Sequence, residues 1–193
     1  MKKIIIIGGS GFVGKSLKDY CKRKSFKVLS YSRGEKKSFL KIKKLPYCDY
    51  IIYCLNNKKI SDSLKLFKHF KYLIKENFKS TKILFFSSGA VYGKANKGKK
   101  FKESNKINIS NINKLDGYKK EYAKEKIRLE KEFMKLASLG FKISIIRGFT
   151  FYGKYILKYK YLISQIINSI KSNKKIYIHN SNVYRSYMHA DDM

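Results

Sequence analysis

The chain has 193 residues, 44% of them hydrophobic, and carries 45 Lys and Arg against 13 Asp and Glu, a formal net charge of +32. The hydrophobic share excludes a disordered chain despite the charge, and the length allows one domain plus part of another. The basic excess is lysine, with arginine only at Arg23, Arg33, Arg128, Arg147 and Arg185, so sequence-specific nucleic-acid readout, which favours arginine forks and aromatic platforms, is not expected.

Together with abundant Ile, Asn, Tyr and Phe, one Pro and no Trp, the charge reads as the codon bias of an A+T-rich genome. It leaves room for nonspecific, salt-sensitive nucleic-acid binding. No apolar run reaches membrane-spanning length. The apolar run Ile4–Ile7 breaks at Gly8 with no small-residue cleavage site, unlike a secretion signal. Cys21, Cys48 and Cys54 form no metal spacing and read as buried thiols in a reducing cytoplasm. His69, His179 and His189 are scattered, and no metal site is expected.

Along the chain, a strand over Lys3–Ile7 runs into Gly8-Gly9-Ser10-Gly11-Phe12-Val13-Gly14, then a helix with Val13, Leu17, Tyr20 and Cys21 on one face. Strands follow at Lys27–Tyr31 and Tyr50–Cys54, with a weaker edge strand at Ser38–Ile42. Ser61–Asn77 carries Leu64, Phe67, Phe70 and Ile74 at helical spacing. After a strand at Ile83–Ser87 and a surface loop over 94–116, Gly117–Leu139 is the longest helix. Its Ala123, Ile127, Phe133, Met134 and Ala137 are expected to face the sheet, and Gly140 to stop it. Ile143–Arg147 is the last sheet strand. An amphipathic helix with Tyr159, Leu162, Ile163, Ile166, Ile167 and Ile170 lies beyond it. Strands alternating with helices predict an α/β fold, a doubly wound parallel sheet.

Three motifs carry chemistry. Gly8, Gly11 and Gly14 allow a tight strand-to-helix turn and close approach of a pyrophosphate to a helix N-terminus; a plain tight corner is the other reading of the same residues. Tyr122 and Lys126 lie four apart on one helix face. A cation there would lower the phenol's pKa from its ordinary value near 10 and fit Tyr122 for proton exchange; an exposed helix face is the alternative. Ser87 and Ser88 close an apolar strand at the carboxyl edge, where open α/β sheets bind ligands.

The wide G-x-x-G-x-x-G spacing, Y-x-x-x-K and Ser87-Ser88-Gly89-Ala90-Val91-Tyr92-Gly93 together resemble the short-chain dehydrogenase/reductase superfamily, in its extended, sugar-nucleotide-modifying branch. Asp49-Tyr50-Ile51-Ile52-Tyr53-Cys54-Leu55-Asn56, Arg147-Gly148-Phe149-Thr150-Phe151-Tyr152-Gly153 and the segment from Tyr184 to Asp192 are similar to further motifs of that branch. Glu130 extends the helix motif to Y-x-x-x-K-x-x-x-E, although a helix ion pair with Lys126 reads as well. The resemblance implies a Rossmann-type dinucleotide-binding domain over 1–147. Residues 148–193 would begin a small substrate-binding lobe, truncated at Met193 because members of the branch run longer. It implies catalysis by Ser88, Tyr122 and Lys126. Gly8, Gly11, Phe12, Val13, Gly14, Ser32, Arg33, Leu55, Ser87, Tyr122 and Lys126 would hold the cofactor, and Ser88, Thr150 and Arg185 a nucleotide-diphosphate sugar. A homodimer stays open.

The departures narrow the chemistry. Ser32 stands where NAD-preferring members carry an acid, and Arg33 could pair with a 2′-phosphate, which favours NADP(H) over NAD(H). Gly148 replaces a proline and Thr150 an asparagine. Gly89-Ala90 replaces the Asp-Glu pair of the 4,6-dehydratases, so dehydration is not expected. A 4-ketosugar reductase is the first reading, a 4-epimerase the second. A dinucleotide-binding sensor or fragment without turnover is the third.

Overall fold

A computed structural model describes residues 1–33, 38–56, 60–94, 100–156, 161–177 and 185–193. Five parallel strands form one sheet: β1 (Lys3–Ile7), β2 (Lys27–Tyr31), β3 (Tyr50–Tyr53), β4 (Lys82–Phe86) and β5 (Lys142–Ile146), in the spatial order β2-β1-β3-β4-β5. Helix α1 (Phe12–Arg23) joins β1 to β2, α2 (Ile60–Leu73) joins β3 to β4, and α3 (Ile109–Asn113) and α4 (Gly117–Ser138) lie between β4 and β5. Beyond the sheet, β6 (Thr150–Tyr152) pairs in parallel with β7 (Tyr187–His189), with α5 (Leu162–Lys171) between them in sequence.

The isoleucine run of β1 shows why both faces are covered. Ile5 and Ile7 pack with Phe70 and Leu73 of α2 and Leu129, Phe133 and Leu136 of α4. Ile4 and Ile6 point the other way, toward Leu17 and Cys21 of α1. A strand buried on both faces reads as a continuous apolar run because its side chains alternate between the two layers. The α2–α4 side is aromatic, with Phe85 stacked on Phe133 at 4.4 Å and Tyr53 edge-on to the same ring at 5.3 Å. On the α1 side, Met193 and Phe151 complete the layer. Arg23 bonds Asp191 at 2.8 Å, and Tyr155 bonds Asp19, so two segments beyond β5 are fastened to α1.

Four sequence expectations need correction. Ser38–Ile42 is not a strand: a single bridge joins Ser32 to Ser38, and Phe39–Lys41 turns into a short 3₁₀ helix. Its Phe39 is fully buried, edge-on to His69, and Ile42 three residues on is half-buried, a spacing of three rather than two. Met134 does not face the sheet but is 57% exposed, while Leu129 and Leu136 take the inner face of α4. The loop expected over 94–116 contains α3, capped by Asn108 and fixed by Ile112, which packs with Val91, Tyr92 and Ala123. Ile170 is exposed on α5, and α5 starts at Leu162; Tyr159 lies outside the described residues. Gly140, in a left-handed conformation with φ +88°, ends α4 as expected.

Candidate active site

The chain order reverses between β1 and β3, which are neighbours although β2 comes between them in sequence. That reversal opens the crevice where doubly wound sheets receive ligands, and the glycine turn occupies it. Gly8 has φ +110°, and a Cβ there would lie 2.7 Å from the Cys54 carbonyl carbon. At Gly14 a Cβ would come within 2.2 Å of the Gly8 oxygen, so the helix packs directly on the turn. Gly11 differs, since its added Cβ would meet only the Gly8 oxygen at 3.5 Å. Gly11 is the N-cap of α1, no side chain caps it, and no acid lies in the first turn. The first-turn amides of Phe12, Val13 and Gly14 thus form an open, uncapped helix start that suits an anionic group.

On the same edge, Ser88 begins a 3₁₀ turn over Gly89–Tyr92, and its Oγ accepts a hydrogen bond from the Ala90 N–H at 3.2 Å. That leaves its O–H to donate, and the Ser88 side chain stands close enough to the Tyr122 phenol to act on its ionisation. Tyr122 is half-buried and stacks on Tyr118 at 6.0 Å. Burial pushes its phenol up to about 12; the Ser88 side chain opposes the rise, and the nearby Tyr118, Glu125 and Tyr161 add to it. The expectation that Lys126 would lower this pKa is therefore corrected. The Lys126 Nζ lies 5.6 Å from the Tyr122 ring centre and turns instead to backbone, 3.3 Å from the Leu55 oxygen and 3.4 Å from the Phe86 oxygen. Only 2% exposed, it ties the ends of β3 and β4 together, and burial lowers its own pKa against the pull of Glu125.

Ser87 donates to Glu130 Oε1 at 2.5 Å. Glu130, buried, also receives Arg147 through Nε and Nη2 at 3.0 and 2.8 Å, and Arg147 Nη1 donates to the Tyr92 hydroxyl at 3.0 Å. Glu130 thus turns to Arg147 rather than forming an ion pair with Lys126. The sequence contained both ends of this pair, but nothing in a linear pattern joins a helix glutamate to the arginine that closes the next strand.

The remaining expected residues divide. Ser32 is buried and Arg33 exposed at the end of β2, on the glycine-turn edge. Leu55 is buried beside Gly8. Thr150 pairs with Tyr187 in the β6–β7 ribbon, and Arg185 is exposed just ahead of β7, on that ribbon rather than on the sheet edge carrying Ser88 and Tyr122. His189 is half-buried beside Tyr152, and His179 lies outside the described residues. Among the described residues no three His, Cys, Asp or Glu side chains gather into a metal-binding group, and no helix is long and apolar enough to cross a membrane.

A glycine turn at the reversal point of a doubly wound parallel sheet defines a Rossmann-type fold. The chain belongs to the NAD dependent epimerase/dehydratase family, whose model matches residues 56–193. No curated protein sequence matches it. Among solved structures, UDP-N-acetylglucosamine 4-epimerase from Bacillus cereus superposes with a TM-score of 0.72 at 16% identity, over 100% of this chain and 70% of that one. The dTDP-glucose 4,6-dehydratase of Bacillus anthracis, in complex with NAD, gives 0.71 at 16% identity over 98% and 68%. RMD from Pseudomonas aeruginosa, complexed with NADPH, gives 0.71 at 18% over 98% and 69%. At these identities the likeness is one of fold.

Proposed function

We propose that this protein reduces a ketone on a nucleotide-diphosphate sugar, best read as a 4-ketosugar, with NADP(H) as its cofactor. Residues 1–147 would carry the dinucleotide and 148–193 the start of the sugar-binding lobe. The open Gly11 and the uncapped start of α1 fit a pyrophosphate, and the family description supports a nicotinamide dinucleotide. Gly8, Gly11, Phe12, Val13 and Gly14 would hold the diphosphate, Ser32 and Arg33 the adenosine ribose, and Leu55, Ser87 and Lys126 the nicotinamide half. Lys126 has three donors, of which two reach carbonyls, so one remains for a ribose hydroxyl. When bound, the cofactor supplies the hydride.

The carrying observation is the Ser88–Tyr122 pair with a phenol that keeps its proton at neutral pH. Tyr122 Oη–H would give that proton to the ketone oxygen as its carbon is reduced, and Ser88 Oγ–H would orient the same oxygen. A 4-epimerase takes a proton from a hydroxyl and later returns one, so it would use the same pair and is the second reading. Gly89 and Ala90 supply no acid or base for dehydration. Thr150 and Arg185 are assigned to the sugar and its diphosphate.

The test is to mix the chain with NADPH and dTDP-4-keto-6-deoxyglucose and to follow NADPH absorbance. Oxidation is expected, abolished in Tyr122→Phe with NADPH affinity kept, and slowed less in Ser88→Ala. Undiminished turnover in Tyr122→Phe would remove Tyr122 from the reaction.

A further inference from the structure

Gly89 follows Ser88 directly, and its place is taken by a ring from another element. A Cβ on Gly89 would stand 2.5 Å from Phe149 Cδ1, so the phenyl lies flat against the turn only because no side chain intervenes. The backbone holds the arrangement, with the Gly89 N–H donating to the Gly148 oxygen at 2.7 Å. Phe149 is further aligned with Tyr92, their rings 6.2 Å apart and 11° from parallel, and Tyr92 stacks in turn on Phe101. Despite this support Phe149 is 51% exposed. A half-exposed aromatic ring therefore packs on the residue next to Ser88.

Resting on the reading of a nucleotide-sugar reductase, we propose that Phe149 is a specificity-determining residue, selecting sugars whose substituent beside the reacting carbon is a methyl rather than a hydroxymethyl or a carboxylate. With Ser88 and Tyr122 on the reacting oxygen, the proposal places the ring carbon that bears this substituent on the Gly89 side, and so toward the phenyl. A methyl loses water there and gains contact. A hydroxymethyl gives up hydration with no partner offered by the ring, and a carboxylate gives up more. The preference over hydroxymethyl is modest, because an apolar wall discriminates weakly against an added hydroxyl. The preference over carboxylate is larger.

The experiment measures equilibrium binding of UDP-6-deoxyglucose, UDP-glucose and UDP-glucuronate to the NADPH-saturated chain, so the common nucleotide cancels. The 6-deoxy sugar is expected to bind about tenfold tighter than UDP-glucose, with UDP-glucuronate weakest. Phe149→Ala should remove the ranking and Phe149→Leu keep most of it. Gly89→Ala, which displaces the ring without deleting it, should weaken the ranking too. Equal affinities in the unmodified chain, or a ranking that survives Phe149→Ala, would overturn the role of Phe149 and leave the nucleotide-sugar reading standing. Failure of all three sugars to bind an NADPH-loaded chain would overturn that reading and the inference with it.

Discussion

Arg147 closes on Glu130 through two nitrogens of its guanidinium, and this fork joins the exit of β5 to the middle of α4. The same carboxylate takes the Ser87 hydroxyl, and the same guanidinium reaches the Tyr92 hydroxyl, so the residues on either side of Ser88 are tied to one ion pair. Ser88 thus owes its place to a buried clamp that does not itself contact the phenol.

The clamp is lopsided, with the Glu130 side chain 6% and that of Arg147 25% exposed. Removing one partner of a buried pair costs about 3–5 kcal/mol, mainly by stranding the other charge. Arg147→Leu, which strands the deeper carboxylate, should therefore lower the urea midpoint more than Glu130→Leu, which leaves a guanidinium able to reach water. The double variant should fall short of the sum. Additive losses in the double variant would show that the two side chains act separately.

The glycine turn allows the proposed cofactor binding to be tested apart from stability. Gly14→Ala forces a Cβ onto the Gly8 oxygen at 2.2 Å and should cost the fold heavily in thermal unfolding. Gly11→Ala meets nothing closer than 3.5 Å, so the melting temperature should barely move while NADPH affinity falls, because the methyl enters the space offered to a phosphate. A Gly11→Ala chain that melts much earlier, or binds NADPH unchanged, would contradict this division.

Much of this was legible in the sequence for a physical reason. Strands buried on both faces announce themselves as apolar runs, and β1 and β2 fall where the pattern placed them, with β3, β4 and β5 within a residue. Tyr122 and Lys126 were visible because helical spacing is local. The edge segment 38–42 was not legible, since a short apolar–basic stretch suits a 3₁₀ turn as well as a strand, and burial of Phe39 beside His69 decided it. The direction of the Tyr122 shift was also hidden. Spacing brought Lys126 to the right face, but only the fold turns its ammonium onto the Leu55 and Phe86 carbonyls.

Tyr122 should titrate above the ordinary tyrosine value, near 12. A folded-state pKa raised above the unfolded one contributes stability that is complete below about 10 and lost as pH rises toward 12. NMR of tyrosine labelled at Cζ, with Tyr122→Phe to assign the signal, reads the ionisation directly. Titration below the free value would restore the phenolate-base reading.

Under the proposed function, cofactor choice would turn on the end of β2, where Ser32 is buried and Arg33 exposed. Thermal-shift titration should find NADPH bound more tightly than NADH, with Arg33→Ala removing most of the difference. Tighter binding of NADH by the unmodified chain would reverse the assignment.

Lys126 combines a buried charge with a proposed place at the site. Its ammonium is buried on long contacts to two carbonyls, and desolvation lowers its pKa despite Glu125. Lys126→Met fills a similar volume without burying a charge, so the variant should be as stable as the parent or more so at neutral pH. The sign of the pH dependence follows from the lowered pKa. Between the folded value and the unfolded one near 10.4 the unfolded chain holds more protons, so the parent gains stability as pH rises through that window. The advantage of Lys126→Met should therefore shrink as pH rises toward about 10. Ketosugar reduction should be lost in the same variant, because no donor remains for a ribose hydroxyl. A destabilised Lys126→Met at neutral pH would mean that the two carbonyl contacts outweigh the cost of burying the charge.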